Sequence, residues 1–238
     1  MVQQLSTAKE ANYPDISEDI DYPDSDGQPM SDNTEQVKWI VTIKENLELI
    51  YANNPDVFVT GDLLWYPIEG NHKIRQAPDT MVAFGRPKGY RGSYMQWKEG
   101  DIAPQVVFEI LASGNRRSEM ARKLLFYERY GVEEYYKYDP YSTELIGRQR
   151  QSDRVELIES IEGWTSPRLG IRFELTPETL IIYRPDGSKF LTYVELGQQL
   201  NETSQQLDET SQQLNQSQAE NARLLAKLKA LGVDPSTL

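Results

Sequence analysis

The spacing of hydrophobic and polar positions changes period several times along the chain, and each change predicts an element. From about Thr34 to Tyr51, Val37, Ile40, Val41, Leu47 and Ile50 recur mostly at three- and four-residue steps, which predicts a helix ended by Asn53, Asn54 and Pro55. The run DVFVTGDLLWYP reads as two short strands broken at Gly61 and Asp62. KIRQAPDTMVAFG reads as another, with Thr80, Val82 and Phe84 alternating against Met81 and Ala83. A loop rich in Gly, Arg and Lys fills roughly residues 85–101. QVVFEIL, residues 105–111, is apolar on both faces apart from Glu109 and the flanking Gln105, the pattern of a central strand covered on both sides. ASGNRRS leads into a helix near 118–130 capped by Gly131, and VEEYYKYDP is a further strand ended by Pro140.

LIGRQR, VELIES, IRFEL, LIIYR and FLTYV predict short antiparallel additions, with a hairpin turn at Pro185-Asp186-Gly187. Beyond that the period becomes seven. ETSQQLD, ETSQQLN and the looser QSQAENA place Leu200, Leu207, Leu214 and Leu228 on one heptad position, with Asn221 in the same series. The companion core position carries Ser204, Ser211, Gln218 and Leu225, so the predicted coiled coil has a polar half-seam and gains stability only by association. The expected organisation is an acidic arm over 1–33, a mixed α/β domain over 34–195, a coiled-coil helix over 196–232 and a tail over 233–238.

Charge changes the picture in one respect. The chain of 238 residues has a formal net charge of -12, which alone argues against a nucleic-acid partner. Yet residues 1–35 hold one Lys and nine Asp or Glu, whereas residues 36–199 are close to neutral. The absence of cysteine excludes disulfides and thiolate metal sites. No run approaches the roughly 20 apolar residues of a membrane-spanning helix, and the N-terminus lacks the basic head and apolar run of a secretory signal. These features lead us to expect a cytoplasmic protein without a membrane partner.

Glu109 is the most informative residue. A carboxylate in a strand apolar on both faces costs several kcal/mol to desolvate unless it is paired or ligates a cation. A buried salt bridge is the structural alternative. Asp79, directly after Pro78, opens the preceding strand, and two carboxylates converging at one sheet end repel until a divalent cation relieves them. Oxygen ligands of this kind suit magnesium or manganese. Lys123 lies on the apolar face of its helix with Met120, Phe126, Tyr127 and Tyr130, so its stem can be buried while its ammonium reaches the sheet end. A metal held by Asp79 and Glu109, with Lys123 stabilising developing charge, suits phosphodiester hydrolysis. His72, the single histidine, sits in the turn GNHKIR and reads as a surface residue.

APD, VVFEIL and SGNRRSEMARKLLFYERYGVEEYYKYDP together resemble the Uma-two family of restriction endonucleases, a branch of the PD-(D/E)XK nuclease superfamily, over roughly residues 34–175. The resemblance implies a four-stranded mixed sheet flanked by helices and a divalent-metal site, with Asp79 as the first acidic residue and Glu109 as the second. The superfamily's lysine two residues after the Glu is replaced here by Leu111, and the lysine that this branch takes from the following helix matches Lys123. An acidic residue on the first helix, common in the superfamily, would be Glu35, with Gln36 beside it.

DNA is then the expected substrate, and Arg86, Lys88, Arg91, Arg116 and Arg117, in loops expected beside the site, are candidate phosphate contacts. The rival reading is a catalytically inactive nuclease fold that binds or assembles through its coiled coil. A homodimer is expected on two grounds: double-strand cutting needs two sites, and the heptad leucines need cover.

Overall fold

The computed structural model describes residues 20–25, 27, 31–114 and 117–231. The remainder of the expected acidic arm, the tail over 233–238 and Arg116 lie outside the described residues. Helices α1 (Thr34–Ile50), α2 (Arg117–Tyr130) and α3 (Tyr193–Ala230) accompany ten strands: β1 (Val57–Thr60), β2 (Trp65–Tyr66), β3 (Thr80–Phe84), β4 (Tyr94–Met95), β5 (Val106–Ile110), β6 (Glu134–Asp139), β7 (Glu144–Gln151), β8 (Arg154–Leu157), β9 (Arg172–Leu175) and β10 (Leu180–Tyr183). Six strands form one mixed sheet in the order β1-β3-β5-β6-β7-β8, in which only β5 and β6 run parallel. The hydrophobic pattern predicts a mixed α/β domain and the family resemblance a mixed sheet flanked by helices; the sheet has six strands where the resemblance implies four.

Helix α1 starts where Asn33 accepts a hydrogen bond from the Gln36 amide, a side-chain cap on otherwise orphaned backbone donors. Its apolar stripe, Trp39, Ile40, Ile43 and Leu47, packs with the β9–β10 hairpin against one face of the sheet, on Val82, Val106, Phe108, Ile110 and Tyr136. Helix α2 and the β2–β4 pair cover the other face, where Tyr127 and Trp65 pack with Met81, Val107 and Tyr135. Because both faces of β5 are covered, every one of its residues is buried. The crossover from β5 to the parallel β6 is α2 itself, ended by Gly131 at φ 102, a conformation that favours glycine.

The strand reading of FLTYV needs correction. FLTYV is not a strand: Thr192 and Glu195 form a reciprocal capping box, which turns the chain into α3 at Tyr193. Part of the acidic arm is also packed. Tyr22 lies against Tyr66 and Trp97 and accepts a hydrogen bond from the Gly70 amide, while the Pro23 carbonyl accepts one from the Tyr66 hydroxyl. The short strand β4 and the 3-10 turn Gln96–Glu99 lie in the segment expected to be loop. Helix α3 stands clear of the domain, with no buried residue among the described ones.

A further buried carboxylate, Glu134, ties β6 to the 164–170 segment. It accepts hydrogen bonds from the Tyr136 hydroxyl at 2.9 Å, the Ser166 hydroxyl and the Arg168 amide at 2.8 Å. Removing it would orphan three donors, two of them buried, so Glu134→Ala should lower the unfolding free energy by about 2–4 kcal/mol. Urea denaturation measures this directly, and a loss below about 1 kcal/mol would contradict this account of the network.

Candidate functional site

The pleat of β5 sends Glu109 toward α2, the side opposite Phe108 and Ile110, and leaves it 1% exposed. Strands β3 and β5 are antiparallel with Thr80 opposite Phe108, so continuing the register one step sets Asp79 opposite Glu109. Helix α2 contributes two residues one turn apart. The Lys123 ammonium donates to Glu109 Oε2 at 2.7 Å, and the Tyr127 hydroxyl donates to Oε1. Trp65 stacks parallel to Tyr127 and fixes its ring. Asp79 is 7% exposed, and its Oδ2 accepts a 2.6 Å hydrogen bond from the Ile110 amide, so a side chain takes the place of a ladder partner. Gln36 of α1 closes the far side. Its amide nitrogen donates to the Ile110 carbonyl at 2.9 Å and its oxygen accepts from the Asp32 amide, which sets the carboxamide beside Asp79.

Burial, and then the charge of Glu109, push the Asp79 pKa up to about 8, against the opposing pull of Lys123, the Ile110 amide and Gln36. Burial disfavours the Lys123 ammonium, but Glu109 and Asp79 outweigh that and hold its pKa above the ordinary lysine value. Burial and Glu109 together push the Tyr127 phenol far up, so it stays protonated as a donor. The donor chemistry fits a hard divalent cation: two carboxylates face one another in a desolvated corner, and Asp79 lowers the repulsion by holding a proton when no cation is present. Asp79 and Glu109 are the residues that would hold it. Among the described residues no group of three or more His, Cys, Asp or Glu side chains is arranged to hold a metal, so the rest of a coordination shell would come from backbone, water or substrate.

The structure brings Asp79, Glu109 and Lys123 together and leaves out Glu35, Arg86, Lys88 and Arg91. Glu35 points away from the corner, its Oε1 bound to Lys38 and to the Trp39 indole, because helical geometry turns it about 100° from Gln36. Arg86, Lys88 and Arg91 follow the opposite end of β3 from Asp79, so they are not beside the site. Arg86 and Arg91 are neutralised by Glu99, and Lys88 lies 3.8 Å from Glu48. Arg117 is exposed at the start of α2, on the site's side of the sheet. Tyr127 and Gly61 belong to the site's surroundings beyond the expected residues, and Gln36, named beside Glu35, is the one of that pair that reaches the corner. The N-x-x-Q spacing from Asn33 marks Gln36 as a first-turn capping residue, and the four-residue step from Lys123 puts Tyr127 on the same face. For Gly61 no such signal exists: a Cβ there would meet the Asp79 carbonyl at 3.0 Å, a close approach visible only in three dimensions.

The fold is of the mixed α/β class, with a buried acidic pair and an amine at the junction of an antiparallel and a parallel pairing. The family model Uma2, described as "Putative restriction endonuclease", matches residues 17–178, and the chain belongs to that family. Among solved structures, a protein described as "a putative nuclease belonging to DUF820 from Anabaena variabilis ATCC 29413" is similar at 14% identity and a TM-score of 0.43, over 57% of this chain and 73% of that one. No curated protein matches the chain.

The raised Asp79 pKa has a thermodynamic consequence. In chelator the folded chain keeps a proton that the unfolded chain, with an ordinary carboxylate near 3.8, releases. Stability should therefore fall as pH rises from about 4 and level off above about 8, by a few kcal/mol in all. Melting curves between pH 5 and 9 should show this decline in the parent, a flattened profile in Asp79→Asn, and recovery at high pH on adding magnesium to the parent alone. A parent profile as flat as that of Asp79→Asn would contradict the burial of an electrostatically coupled pair.

Proposed function

We propose that this chain is a divalent-metal-dependent endonuclease that hydrolyses DNA phosphodiester bonds, with Asp79 and Glu109 holding magnesium or manganese and Lys123 assisting. The observation that carries the reading is the Lys123 ammonium 2.7 Å from Glu109 in a desolvated corner that Asp79 shares. When bound, the cation polarises a phosphoryl oxygen and makes nearby water more acidic. The chain's own residues do the remaining work. Tyr127 and Lys123 fix both oxygens of Glu109, and the Ile110 amide, its own carbonyl held by Gln36, fixes Asp79, so neither carboxylate has to reorganise as substrate arrives. The Lys123 ammonium would stabilise the non-bridging oxygen that gains negative charge as the water oxygen bonds to phosphorus and the bond to the leaving oxygen breaks. The attacking water gives up a proton to solvent, and the leaving alkoxide takes one up from solvent.

Plasmid cleavage in magnesium or manganese tests this. Chelator, Asp79→Ala and Glu109→Ala should abolish cleavage with the fold intact by circular dichroism, and Lys123→Ala should slow it about a hundredfold or more. Gln36→Ala should impair it, and Glu35→Ala should leave it near the parent rate. A folded Glu109→Ala chain cutting as fast as the parent would overturn the assignment.

We infer in addition that the chain works as a dimer. Leu200, Leu207 and Leu214 of α3 are 68%, 66% and 57% exposed, a stripe that supports association of two copies. The polar companion positions make this coil a secondary contact, so truncation after Leu196 should weaken the dimer without dissociating it at roughly micromolar concentration. Light scattering of both forms is the check, and a strictly monomeric full-length chain at high concentration would refute the inference.

A further inference from the structure

Helix α2 covers only part of its side of the sheet. Between it and β6–β7 lies a cleft of about 390 Å³, whose lining includes Arg117, Tyr135, Lys137, Glu144, Ile146 and Arg148. Strand alternation explains why these side chains meet. Tyr136, Tyr138 and Leu145 belong to the core under α1, so Tyr135, Lys137, Ile146 and Arg148 face the other way. Register then ties the cleft to the acidic corner. Glu109 pairs with Lys137 across the parallel β5–β6 ladder, and Tyr135 pairs with Arg148 across β6–β7. Lys137 thus stands about one strand spacing from Glu109, ~5 Å, and Arg148 roughly two spacings away in the next row.

The charges here are uncommitted. No ion pair among the described residues involves Arg117, Lys137 or Arg148, whereas Arg86 and Arg91 are both taken by Glu99. Arg148 has one long contact, 3.5 Å to the Val155 carbonyl. Glu144 is the single acid lining the cleft, and Leu111, Met120, Leu124, Tyr135 and Ile146 give it an apolar floor. Three cations without an ion-pair partner among the described residues, against one lining carboxylate, over apolar surface and one strand away from Glu109, suit a chain of phosphates joined by sugars.

We propose that this cleft is the track of the nucleic-acid strand next to the scissile phosphate, with Lys137 and Arg148 each holding one backbone phosphate and Arg117 steering at the rim. Where the scissile phosphate lies rests on the endonuclease reading; the binding itself does not.

Full-length protein titrated in chelator against fluorescently labelled duplex DNA, and separately duplex RNA, tests the track by anisotropy over a range of salt. Each phosphate contact contributes roughly 0.9 to the slope of log affinity against log salt for a DNA duplex, so K137Q/R148Q should lower that slope by about 1.8 and weaken low-salt binding at least about tenfold. K88Q/K98Q, at the opposite end of β3, should change neither. The charge-preserving K137R/R148K should keep the parent slope, and if the doubly neutralised chain does not fold, each single variant should lower it by about 0.9. Binding to either duplex with these slopes supports the track, and the two arms tell which nucleic acid it fits. Unchanged slope and affinity in a folded K137Q/R148Q chain, or a parent that binds neither duplex at low salt, overturns it. A parent that binds as expected but never cleaves in magnesium or manganese overturns the endonuclease reading instead and leaves the track standing.

Discussion

Two carboxylates in a corner largely emptied of water repel, and the arrangement around them answers that repulsion. Glu109 is held by an ammonium on one oxygen and a phenol on the other, and Asp79 by a backbone amide, with the Gln36 carboxamide beside it on the Ile110 carbonyl. These groups come from three elements: α1 supplies Gln36, β5 the Ile110 amide, and α2 both Lys123 and Tyr127. Fixing them requires helices on opposite faces of the sheet to be placed correctly relative to β5. The aromatic packing of Trp65 on Tyr127, and of Trp39 on Tyr138, serves that placement. Glu134 shows what the corner is not. It is equally buried, but its partners are two hydroxyls and an amide, with no second carboxylate and no ammonium, and its effect is to tie β6 to the following segment.

Much of this is legible in the chain because it follows from periodicity. A helix-length stripe, a strand apolar on both faces and a glycine stop are enough to predict α1, β5 and α2, and Glu109 is conspicuous because its neighbours are all apolar. The one-residue resolution of the pleat puts Asp79 and Glu109 on one face once β3 and β5 pair. The less legible parts depend on which of two adjacent residues faces inward or on contacts between distant segments. Glu35 and Gln36 differ by one helical step, and only the packing of α1 on the sheet decides that the neutral residue enters the corner. The basic loop after β3 reads as adjacent to the site because it follows Asp79 closely in sequence, but a five-residue strand carries it to the far end of the sheet. FLTYV has strand composition throughout, and a capping box two residues from its end overrides it. Lys137 gives no sequence signal of its own, since a lysine in a strand is ordinarily a solvated one. It gains meaning from the register that sets it beside Glu109.

The overall charge of -12 and a polyanionic partner are compatible once the charges are considered locally. At about 0.15 M salt, charges more than ~8 Å apart in solvent are largely screened, so the field met by a phosphate is set by the corner and the cleft beside it. Without a cation, the protonated Asp79 and the Glu109–Lys123 pair leave the corner near neutral, so it does not repel a phosphate. On the proposed reading, Asp79 and Glu109 would hold a divalent cation in place of the Asp79 proton, their charges would cancel the cation's, and the Lys123 ammonium would be in excess. The corner would then pass from neutral to positive on taking up the cation, while Lys137 and Arg148 would extend positive charge along the cleft in either state. Affinity for the strand and readiness for chemistry would be separable on that reading: the first would belong to the row of cations on β6 and β7, the second to the proton on Asp79.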